Sequence, residues 1–518
     1  MTTRYDAVII GAGPNGLVAA RALARRGRKI LVLERAEEIG GHTRTVQFAP
    51  GFRSPLSEDT GWVPPAVAGL ANTDKLQRAG GAVSTTVMGA DKLALHLPSR
   101  IAGAVDHIRA ISEDDAVRWP AFVDRMTKFA GILGDLYQMR APDIDTRGMQ
   151  LLPALGVGRK LRKLGRRDMI EFLRIMPMSI QDLLDDSFEN DLLKSAIAAA
   201  AVRDLQQGPR SGGTTFNFLH YMVGAPTGSI RGRPWYIGGP DAFAQAVLEV
   251  LKKRKVEVRT GAAVERIMVK DDAVAGVVLA GGEEIPAEVV LSTVDPRSTF
   301  LGMIEPEWLD PELMLAIQNI KMRGCTACVM YAVDRAIDDP AKSFTASVSL
   351  TQSTSALERA ADAAKYGEVA ASPHVELFSP TLRWSHLAPE FKHVVTARVQ
   401  YAPYRLKTGA WTAADREALE KKATAAISAV LPNFDSTILH RMVLAPPDIE
   451  ERFGVAEGAM THGELTLDQI LFARPVPGLG AYEMPITGLY FGGSGAHPGP
   501  AILGGAGWLA ARRAMGAG

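Results

Sequence analysis

The chain has 518 residues, and its 58 basic and 57 acidic side chains give a net charge of +1, so a nucleic-acid partner is not expected. This length exceeds a single compact core and predicts two or three domains. No apolar stretch is long enough to span a membrane, and no signal segment precedes the first predicted strand. We therefore expect a cytoplasmic protein, soluble or at most peripheral to a membrane.

The first predicted element is a buried strand that stops at Gly11 and is followed by a glycine-rich turn and a helix. Gly11 permits the tight turn, Gly13 lets the backbone approach a pyrophosphate, and Gly16 allows the helix to pack closely on the strand. Pro14 suits the first helical turn, and Asn15 follows it. The free N–H groups and positive dipole end of this helix predict a dinucleotide-phosphate site.

A second predicted strand ends at Glu34, whose carboxylate would accept hydrogen bonds from the hydroxyls of an adenosine ribose. Arg35 comes directly after it. A glycine pair ending at Gly41 then precedes His42 and Thr43, which can contact a pyrophosphate and a ribityl chain. This extension is typical of two-domain flavoproteins, and a simple NAD dehydrogenase has no need of it. The pattern therefore predicts FAD.

Residues 233–297 form a second informative block, which predicts a helix, a short strand and further strands joined by tight turns. The turns are expected at Asp271–Asp272 and Gly281–Gly282. In two-domain flavoproteins such a segment returns the chain to the nucleotide-binding sheet, and the backbone near Val264 would touch the adenine.

The last block, "LYFGGSGAHPGPAILGGAGWLAARRAM", predicts a strand, a glycine-rich turn with Gly493 and Ser494, and a closing helix. We expect the N-terminus of this helix around Ile502 and Leu503, pointing at the flavin. Its dipole would stabilise the negative charge that a flavin gains on reduction.

Together the three blocks predict an α/β protein with a two-domain, FAD-binding Rossmann-like fold of the glutathione-reductase type and an inserted mixed α+β substrate domain. Segments 1–70, 231–300 and 461–518 would form the FAD-binding domain. Segments 71–230, a substrate or helical region, and 301–460, a substrate domain, would cover the substrate. No second dinucleotide fingerprint occurs, so we expect oxygen, a quinone or another diffusible compound as electron acceptor.

The two cysteines, Cys325 and Cys328, have the C-x-x-C spacing of a redox pair. Their surroundings indicate a strand, where positions three apart face opposite sides, whereas a thiol–disulfide centre usually opens a helix. We therefore expect two buried small residues. No metal site is predicted, because two cysteines cannot form a cysteine-rich zinc site.

Six segments spread along the chain resemble the phytoene-desaturase-like FAD oxidoreductases: "GAGPNGLVAA", "LERAEEIGG", "GGPDAFAQAV", "VVLSTVDPR", "MTHGELTLDQILFARPVPG" and "LYFGGSGAHPGPAILGGAG". This group includes carotenoid desaturases, retinol saturase and the pyridine-nucleotide-disulfide-oxidoreductase-domain proteins. The resemblance implies an enzyme that desaturates, saturates or isomerises C–C bonds of an apolar, isoprenoid or polyene-like small molecule.

Two positions depart from the related flavin amine oxidases, which usually carry Glu where this chain has Ser494 and Arg where it has His42. Both differences count against the main alternative, oxidation of a C–N bond. A non-catalytic prenyl-chain-binding protein on the same scaffold is a further alternative.

Flavin desaturation removes a hydride from one carbon and a proton from its neighbour, so a base near flavin N5 would assist it. The catalytic candidates are His462, Glu464 and His497, which lie in segments expected to approach the flavin. Each of them has a structural role as its alternative. The two histidines could be hydrogen-bonded structural imidazoles, and Glu464 could be a helix N-terminal residue.

Residues 159–167 carry six basic side chains, and the apolar stretch that follows them, up to Ser179, contains three methionines. Such a segment fits docking on an anionic membrane and extraction of a lipid-soluble substrate. A solvated helix face beside a domain core is the alternative. The sequence predicts no particular oligomeric state.

Overall fold

The computed structural model describes residues 4–24, 28–59, 61–73, 76–79, 84–89, 94–141, 152–337, 347–351 and 353–516. No helix in these ranges is long and apolar enough to cross a membrane.

The strands are, in chain order, Tyr5–Ile10 (β1), Ile30–Leu33 (β2), Val46–Ala49 (β3), Phe52–Ser54 (β4), Ser84–Met88 (β5), Ala94–Pro98 (β6), Glu257–Arg259 (β7), Val264–Lys270 (β8), Ala273–Leu279 (β9), Glu284–Ser292 (β10), Thr326–Val333 (β11), Ser347–Leu350 (β12), His374–Phe378 (β13), His393–Gln400 (β14), Ile438–Leu444 (β15) and Leu489–Phe491 (β16).

The α-helices are Pro14–Leu23 (α1), Pro65–Ala71 (α2), Ile101–Arg109 (α3), Glu113–Leu136 (α4), Leu152–Lys163 (α5), Gly165–Ile175 (α6), Ile180–Asp185 (α7), Asp191–Ala201 (α8), Thr214–Met222 (α9), Ala242–Lys253 (α10), Pro311–Gln318 (α11), Thr354–Lys365 (α12), Ala413–Val430 (α13), Pro446–Phe453 (α14) and Gly505–Ala514 (α15).

The first sheet unites strands from all three predicted FAD-binding segments. β7, β2, β1, β10 and β16 lie side by side and parallel, so that Ala7 lies opposite Ile30 on one side and Val289 on the other. β2 is buried along its whole length, as expected for a parallel strand covered on both faces. β8 and β9 extend β10 as an antiparallel meander, with its tight turns at the predicted positions.

Two helices from distant parts of the chain, α1 and α15, pack against each other on this sheet. A Cβ atom on Gly507 of α15 would lie 1.9 Å from the main-chain oxygen of Asn15 in α1, so only glycine permits the approach. The Asn15 side-chain oxygen also accepts a hydrogen bond from the Gly507 N–H at 3.3 Å. The N-termini of the two helices consequently lie close together.

Helix α15 begins later than the sequence predicts, at Gly505 rather than around Ile502 and Leu503. Those two residues instead form a short parallel bridge with Trp62, whose main-chain oxygen accepts the Leu503 N–H at 2.7 Å. The chain then passes through Gly504 at φ +72°, a left-handed conformation that favours glycine, before the helix starts.

The second sheet, in the order β15–β11–β14–β13–β12–β5–β6, comes from the two segments predicted to cover the substrate. Its second strand, β11, confirms the strand predicted around the cysteines. One face of β11 packs on α13, and the other packs on the β3–β4 hairpin, which comes from within residues 1–70. Helices α3 to α9 form a separate apolar cluster that also includes residues of β5 and β6.

Candidate functional site

A large cavity lies between the two sheets, and residues from all three predicted FAD-binding segments line it together with residues of β11, β14 and α9. It contains most of the predicted cofactor residues, namely Gly11, Gly13, Pro14, Asn15, Glu34, Arg35, Gly41, His42, Thr43, Val264, Ser494, Ile502 and Leu503. The fold therefore brings the first, middle and last blocks of the chain to one site.

Two predicted cofactor glycines, Gly16 and Gly493, support this wall from behind rather than line it. A Cβ atom on Gly16 would lie 1.9 Å from the Gly11 oxygen, which confirms its predicted packing role. A Cβ atom on Gly493 would lie 2.5 Å from the Thr293 oxygen, so this glycine lets the closing turn pack against the end of β10.

The glycine turn after β1 forms an open cradle. Gly11 has φ +98°, and a Cβ atom there would lie 2.8 Å from Thr293 Oγ1. A Cβ atom on Gly41 would lie 3.1 Å from the Gly13 Cα, which keeps the second glycine loop close to the first. Gly13, the N-cap of α1, provides no side-chain cap, so first-turn N–H groups remain available to an anion.

Glu34 faces the cavity at the end of β2, and its carboxylate also binds the backbone. One oxygen accepts the Ala12 N–H at 2.8 Å, and the other accepts the Ala36 N–H at 3.0 Å. The side chain therefore ties the glycine turn to the end of the second strand. Each carboxylate oxygen has a second lone pair, which can accept a ribose hydroxyl.

The C-terminal end of α14 closes the cavity beside Glu34. Arg35 donates a hydrogen bond to the Glu451 oxygen, and Arg44 donates one to the Arg452 oxygen at 2.5 Å. Cations at this end of a helix also interact favourably with its dipole. Two arginines thus connect the nucleotide-binding loops to α14.

His42 and His462 meet in the cavity wall, with their Nε2 atoms 3.3 Å apart and their rings at 71°. Burial lowers the pKa of both imidazoles to about 3, so both are neutral at neutral pH. One of the two imidazoles can then donate its Nε2–H to the unprotonated Nε2 atom of the other. Of the three predicted catalytic residues, His462 alone lines the cavity.

Glu464 points away from the cavity and has a structural environment. It is fully buried, pairs with Arg323 and accepts the Gln206 N–H at 2.6 Å. Burial raises the pKa of this carboxyl. Glu464 is therefore not positioned to act as a base at the flavin, contrary to the sequence-based expectation, because its side chain holds the region after α8.

His497 also lies outside the cavity wall. Its Nε2 atom hydrogen-bonds to the Leu136 oxygen at 3.2 Å, and its ring packs edge-to-face on Tyr137. The imidazole therefore links the closing turn to the end of α4. This contact fits the structural role for His497 and not the catalytic one.

Burial keeps a set of histidines neutral, in the cavity wall and elsewhere. The pKa is lowered to about 3 or about 4 in each of these buried histidines: His42, His220, His374, His462 and His497.

Arg474, which the sequence analysis missed, fixes the loop that carries His462. Its buried guanidinium donates to the main-chain oxygens of Thr461 at 2.6 Å, Gly463 at 3.1 Å and Ser494 at 2.8 Å. Arginine suits this position because its planar fork provides five donors. It holds two cavity-lining segments together.

A buried ion network lies beside the cavity at the end away from Glu34. Its members are four arginines and four carboxylates: Arg203, Arg231, Arg233, Arg398, Glu58, Asp59, Asp204 and Glu376. Burial alone would raise the pKa of Glu58, but the neighbouring arginines lower it well below its usual range. A sequence signal existed, because arginines interrupt apolar stretches in "AAAVRDL" and "VVTARVQ".

Cys325 and Cys328 are buried free thiols, as predicted, and both reach the cavity wall. Cys325 accepts a hydrogen bond from Gln400, and Cys328 donates one to the Leu56 oxygen. Burial raises the pKa of Cys328 to about 12 and that of Cys325 well above its usual range. Neither thiol is poised for disulfide exchange.

The residues present fit an FAD molecule. The uncapped N-terminus of α1 suits a pyrophosphate, Glu34 suits the ribose, and the N-terminus of α15 adjoins them across the Asn15–Gly507 contact. No group of three or more potential metal ligands occurs in the described ranges. This fold and site define an FAD-binding oxidoreductase of the Rossmann type.

The chain belongs to the flavin-containing amine oxidoreductase family, whose model matches residues 15–499. It is 32% identical to "pyridine nucleotide-disulfide oxidoreductase domain-containing protein 2" of Mus musculus over 98% of this chain and 92% of that protein. It is 24% identical to a limonene dehydrogenase polypeptide of Castellaniella defragrans over 98% of this chain and 94% of the relative. Among solved structures, cyclohexylamine oxidase of Brevibacterium oxydans matches with a TM-score of 0.60 at 15% identity, covering 99% of this chain and 98% of that one.

These similarities confirm the predicted family resemblance, the FAD-binding fold and the oxidoreductase class. The family takes its name from amine oxidoreductases, and one relative is named as a dehydrogenase, so two bond types, C–C and C–N, remain to be weighed at the site.

Proposed function

We propose that the protein desaturates, saturates or isomerises a C–C bond of a small molecule with an apolar body, rather than oxidising a C–N bond. The observation that carries this proposal concerns the carboxylates that line the cavity away from Glu34. An amine substrate carries an ammonium group at neutral pH and needs a free acceptor nearby.

Both of these carboxylates are already hydrogen-bonded. Asp59 accepts the Gly61 N–H at 2.9 Å and the Arg233 guanidinium at 2.6 Å. Asp204 accepts Arg398 at 2.5 Å on one oxygen and the Tyr221 hydroxyl at 3.2 Å on the other. Each of these carboxylates is also paired with a buried arginine, Asp59 with Arg233 and Asp204 with Arg398, so their negative charge is already balanced and neither attracts an ammonium group strongly.

Two further observations support C–C chemistry. The wall at this end contains apolar groups, including Leu56, Ile502 and Leu503, which suit a hydrocarbon body. The relative from Castellaniella, matched nearly from end to end, is named for the dehydrogenation of limonene.

Bound FAD would accept a hydride from one carbon while the neighbouring carbon loses a proton, with oxygen or a quinone as the final two-electron acceptor. The glycine turn and Glu34 would hold the nucleotide. His462, neutral and fixed by the Arg474 contacts to its loop, is the predicted candidate in the wall that can accept the proton. Burial lowers the pKa of His462, which makes it a weak base, so orientation of the substrate at the flavin would also have to contribute to the rate.

Anaerobic mixing of the FAD-loaded protein with a substrate panel tests this proposal. The panel contains terpenes, polyenes and acyl compounds, each as a saturated and unsaturated pair, together with primary and secondary amines of the same carbon skeleton. We expect loss of the visible flavin absorbance with a saturated member of a non-amine pair. Reduction by the amines alone would refute C–C chemistry.

We also propose that α6 mediates peripheral contact of a cytoplasmic protein with an anionic membrane. Ile170 and Leu173 are 52% and 60% exposed on α6, and exposed arginines flank them. Flotation with anionic and neutral vesicles tests this, with the Ile170→Glu/Leu173→Glu double variant as the comparison. Equal recovery of both proteins with anionic vesicles would contradict the proposal.

A further inference from the structure

Two buried polar side chains of the helical cluster hold the turn that leads into α15. These are His220 of α9 and Tyr137, the residue that follows α4. The Tyr137 hydroxyl lies 2.7 Å from His220 Nδ1, and His220 Nε2 lies 2.8 Å from the main-chain oxygen of Pro500. Pro500 lines the cavity, so a chain of hydrogen bonds runs from the helical cluster to the cavity wall.

The direction of both hydrogen bonds is fixed. Burial lowers the pKa of His220 to about 3, so the imidazole is neutral and carries one N–H. A main-chain oxygen can only accept, which places that proton on Nε2 and leaves Nδ1 as an acceptor. Tyr137 therefore donates its hydroxyl proton to Nδ1, and burial raises the pKa of this phenol, so the proton stays on it. Neither nitrogen of His220 can exchange its role with the other.

The segment that His220 holds lies between the cavity and the N-terminus of α15. Residues 500–503 line the cavity, and α15 begins just after them at Gly505. The effect of a helix dipole falls off within about one turn from the helix end. The influence of α15 on a bound flavin therefore depends on where residues 500–503 lie.

This segment is strained at the residue that follows Pro500. Ala501 has φ +58°, a left-handed conformation that alanine rarely adopts. Such conformations persist only where the surrounding contacts hold them, and they are frequent at functional sites. The Ala501 oxygen accepts the Trp62 N–H at 2.8 Å, and the Pro500 oxygen accepts the His220 N–H. Loss of the His220 contact would therefore let this part of the wall relax.

We propose that Tyr137 and His220 are positioning residues that raise the reduction potential of the bound flavin. They hold residues 500–503 at the place from which the N-terminus of α15 stabilises the negative charge of the reduced cofactor. This inference goes beyond the proposed function, because the potential is measured without a substrate and does not depend on which bond is oxidised.

The first test compares Tyr137→Phe with Tyr331→Phe in the FAD-loaded protein. Tyr331 is an equally buried tyrosine, whose hydroxyl hydrogen-bonds to Thr424 Oγ1 at 3.0 Å on the face of β11 that packs on α13. At a fixed potential, we expect Tyr137→Phe to shift the ratio of oxidised to reduced flavin about tenfold toward the oxidised form. For a two-electron couple this shift equals about 30 mV. We expect no shift in Tyr331→Phe.

Anaerobic equilibration with a redox dye measures this ratio, and thermal melts of the same samples measure stability. A Tyr137→Phe protein with lowered Tm and an unchanged potential would mean that the hydroxyl has a structural role alone, and would overturn the inference. An equal shift of the potential in Tyr331→Phe would overturn it as well.

The second test uses two substitutions of His220. His220→Gln keeps an N–H that can donate to the Pro500 oxygen, whereas His220→Leu removes the donor. We expect His220→Gln to keep a potential close to that of the wild type and His220→Leu to shift it as Tyr137→Phe does. Equal potentials in the two variants would overturn the inference.

If Tyr137→Phe and His220→Leu fail to fold or to bind FAD, the wild-type protein decides. Nitrogen NMR of protein with isotope-labelled histidine shows which imidazole nitrogen carries the proton, and loss of the signals in His220→Gln identifies them. We expect the Nε2–H tautomer of His220, with signals that move when dithionite reduces the flavin, while those of the buried His374 stay in place. Signals of His220 that do not move, or the opposite tautomer, would overturn the inference.

Discussion

Replacing Glu34 by alanine should lower both the folding stability of the apoprotein and its affinity for FAD. The carboxylate accepts the N–H groups of Ala12 and Ala36, and a hydrogen bond to a charged acceptor contributes about 1.5–3 kcal/mol. Both N–H groups lie near the cavity, where water molecules can hydrogen-bond to them in the variant and offset part of the lost stability. We therefore expect the free energy of unfolding of the apoprotein to fall by about 2–4 kcal/mol.

For a chain of this length, unfolding entropy implies a change of roughly 1 °C in Tm per kcal/mol, so the apoprotein should melt about 2–4 °C lower. FAD affinity should fall on the order of a hundredfold, because the ribose hydroxyls lose a charged acceptor as well. Thermal melts of the apoprotein and a flavin titration measure the two effects separately.

Glu38→Ala provides the matched control. Its carboxylate is 54% exposed and pairs with Arg53 at 3.0 Å, and such surface pairs contribute about 0–1 kcal/mol. An unchanged apoprotein Tm in Glu34→Ala would refute the structural role of the two backbone hydrogen bonds. An unchanged FAD affinity would refute the assignment of the nucleotide site itself.

Three further predictions follow from packing, protonation and thiol burial. Gly507→Ala should abolish FAD binding, because the added Cβ atom collides with the α1 backbone. The control Gly131→Ala, in open space on α4, should be neutral or stabilising. Flavin retained by purified Gly507→Ala would contradict this prediction. Lowering the pH from 7.5 to 5 should reduce Tm, because the buried histidines stay neutral in the folded chain but gain protons in the unfolded chain below about pH 6.5. Each buried histidine contributes up to about 2 kcal/mol of folding stability that is lost at pH 5. A Tm that does not change between pH 7.5 and pH 5 would contradict this prediction. Cys325 and Cys328 should react with a thiol reagent only after denaturation, and fast labelling of the native protein would show that they are accessible.

Local patterns in the sequence were sufficient to predict the nucleotide-binding half of the fold. The run of apolar residues before Gly11 gives a buried strand, Gly11 adopts a positive φ in the turn, and Gly16 packs against the Gly11 oxygen. The turns of the β8–β10 meander follow from residues that tolerate positive φ, such as Asp271 and Asp272. These features depend on neighbours within a few residues of one another.

The substrate side could not be predicted in the same way, because its contacts join distant residues. His462 and Glu464 are two positions apart, yet one faces the cavity and the other pairs with Arg323. Their orientation depends on Arg474, eleven residues further along the chain, which no local pattern indicates and which donates to the Gly463 oxygen between them. The start of α15 is likewise set by Trp62, far earlier in the chain.

The arrangement of the first sheet also determines how late during synthesis the nucleotide-binding domain can be completed. Chains emerge from the ribosome N-terminus first, so β1 and β10 are available long before residues 489–514, which supply β16 and α15. Until those residues emerge, β10 lacks one neighbouring strand and α1 lacks the helix that packs on Asn15. We therefore expect FAD to bind only after α15 has docked, and until then the open edge of β10 is a place where the nascent chain can aggregate.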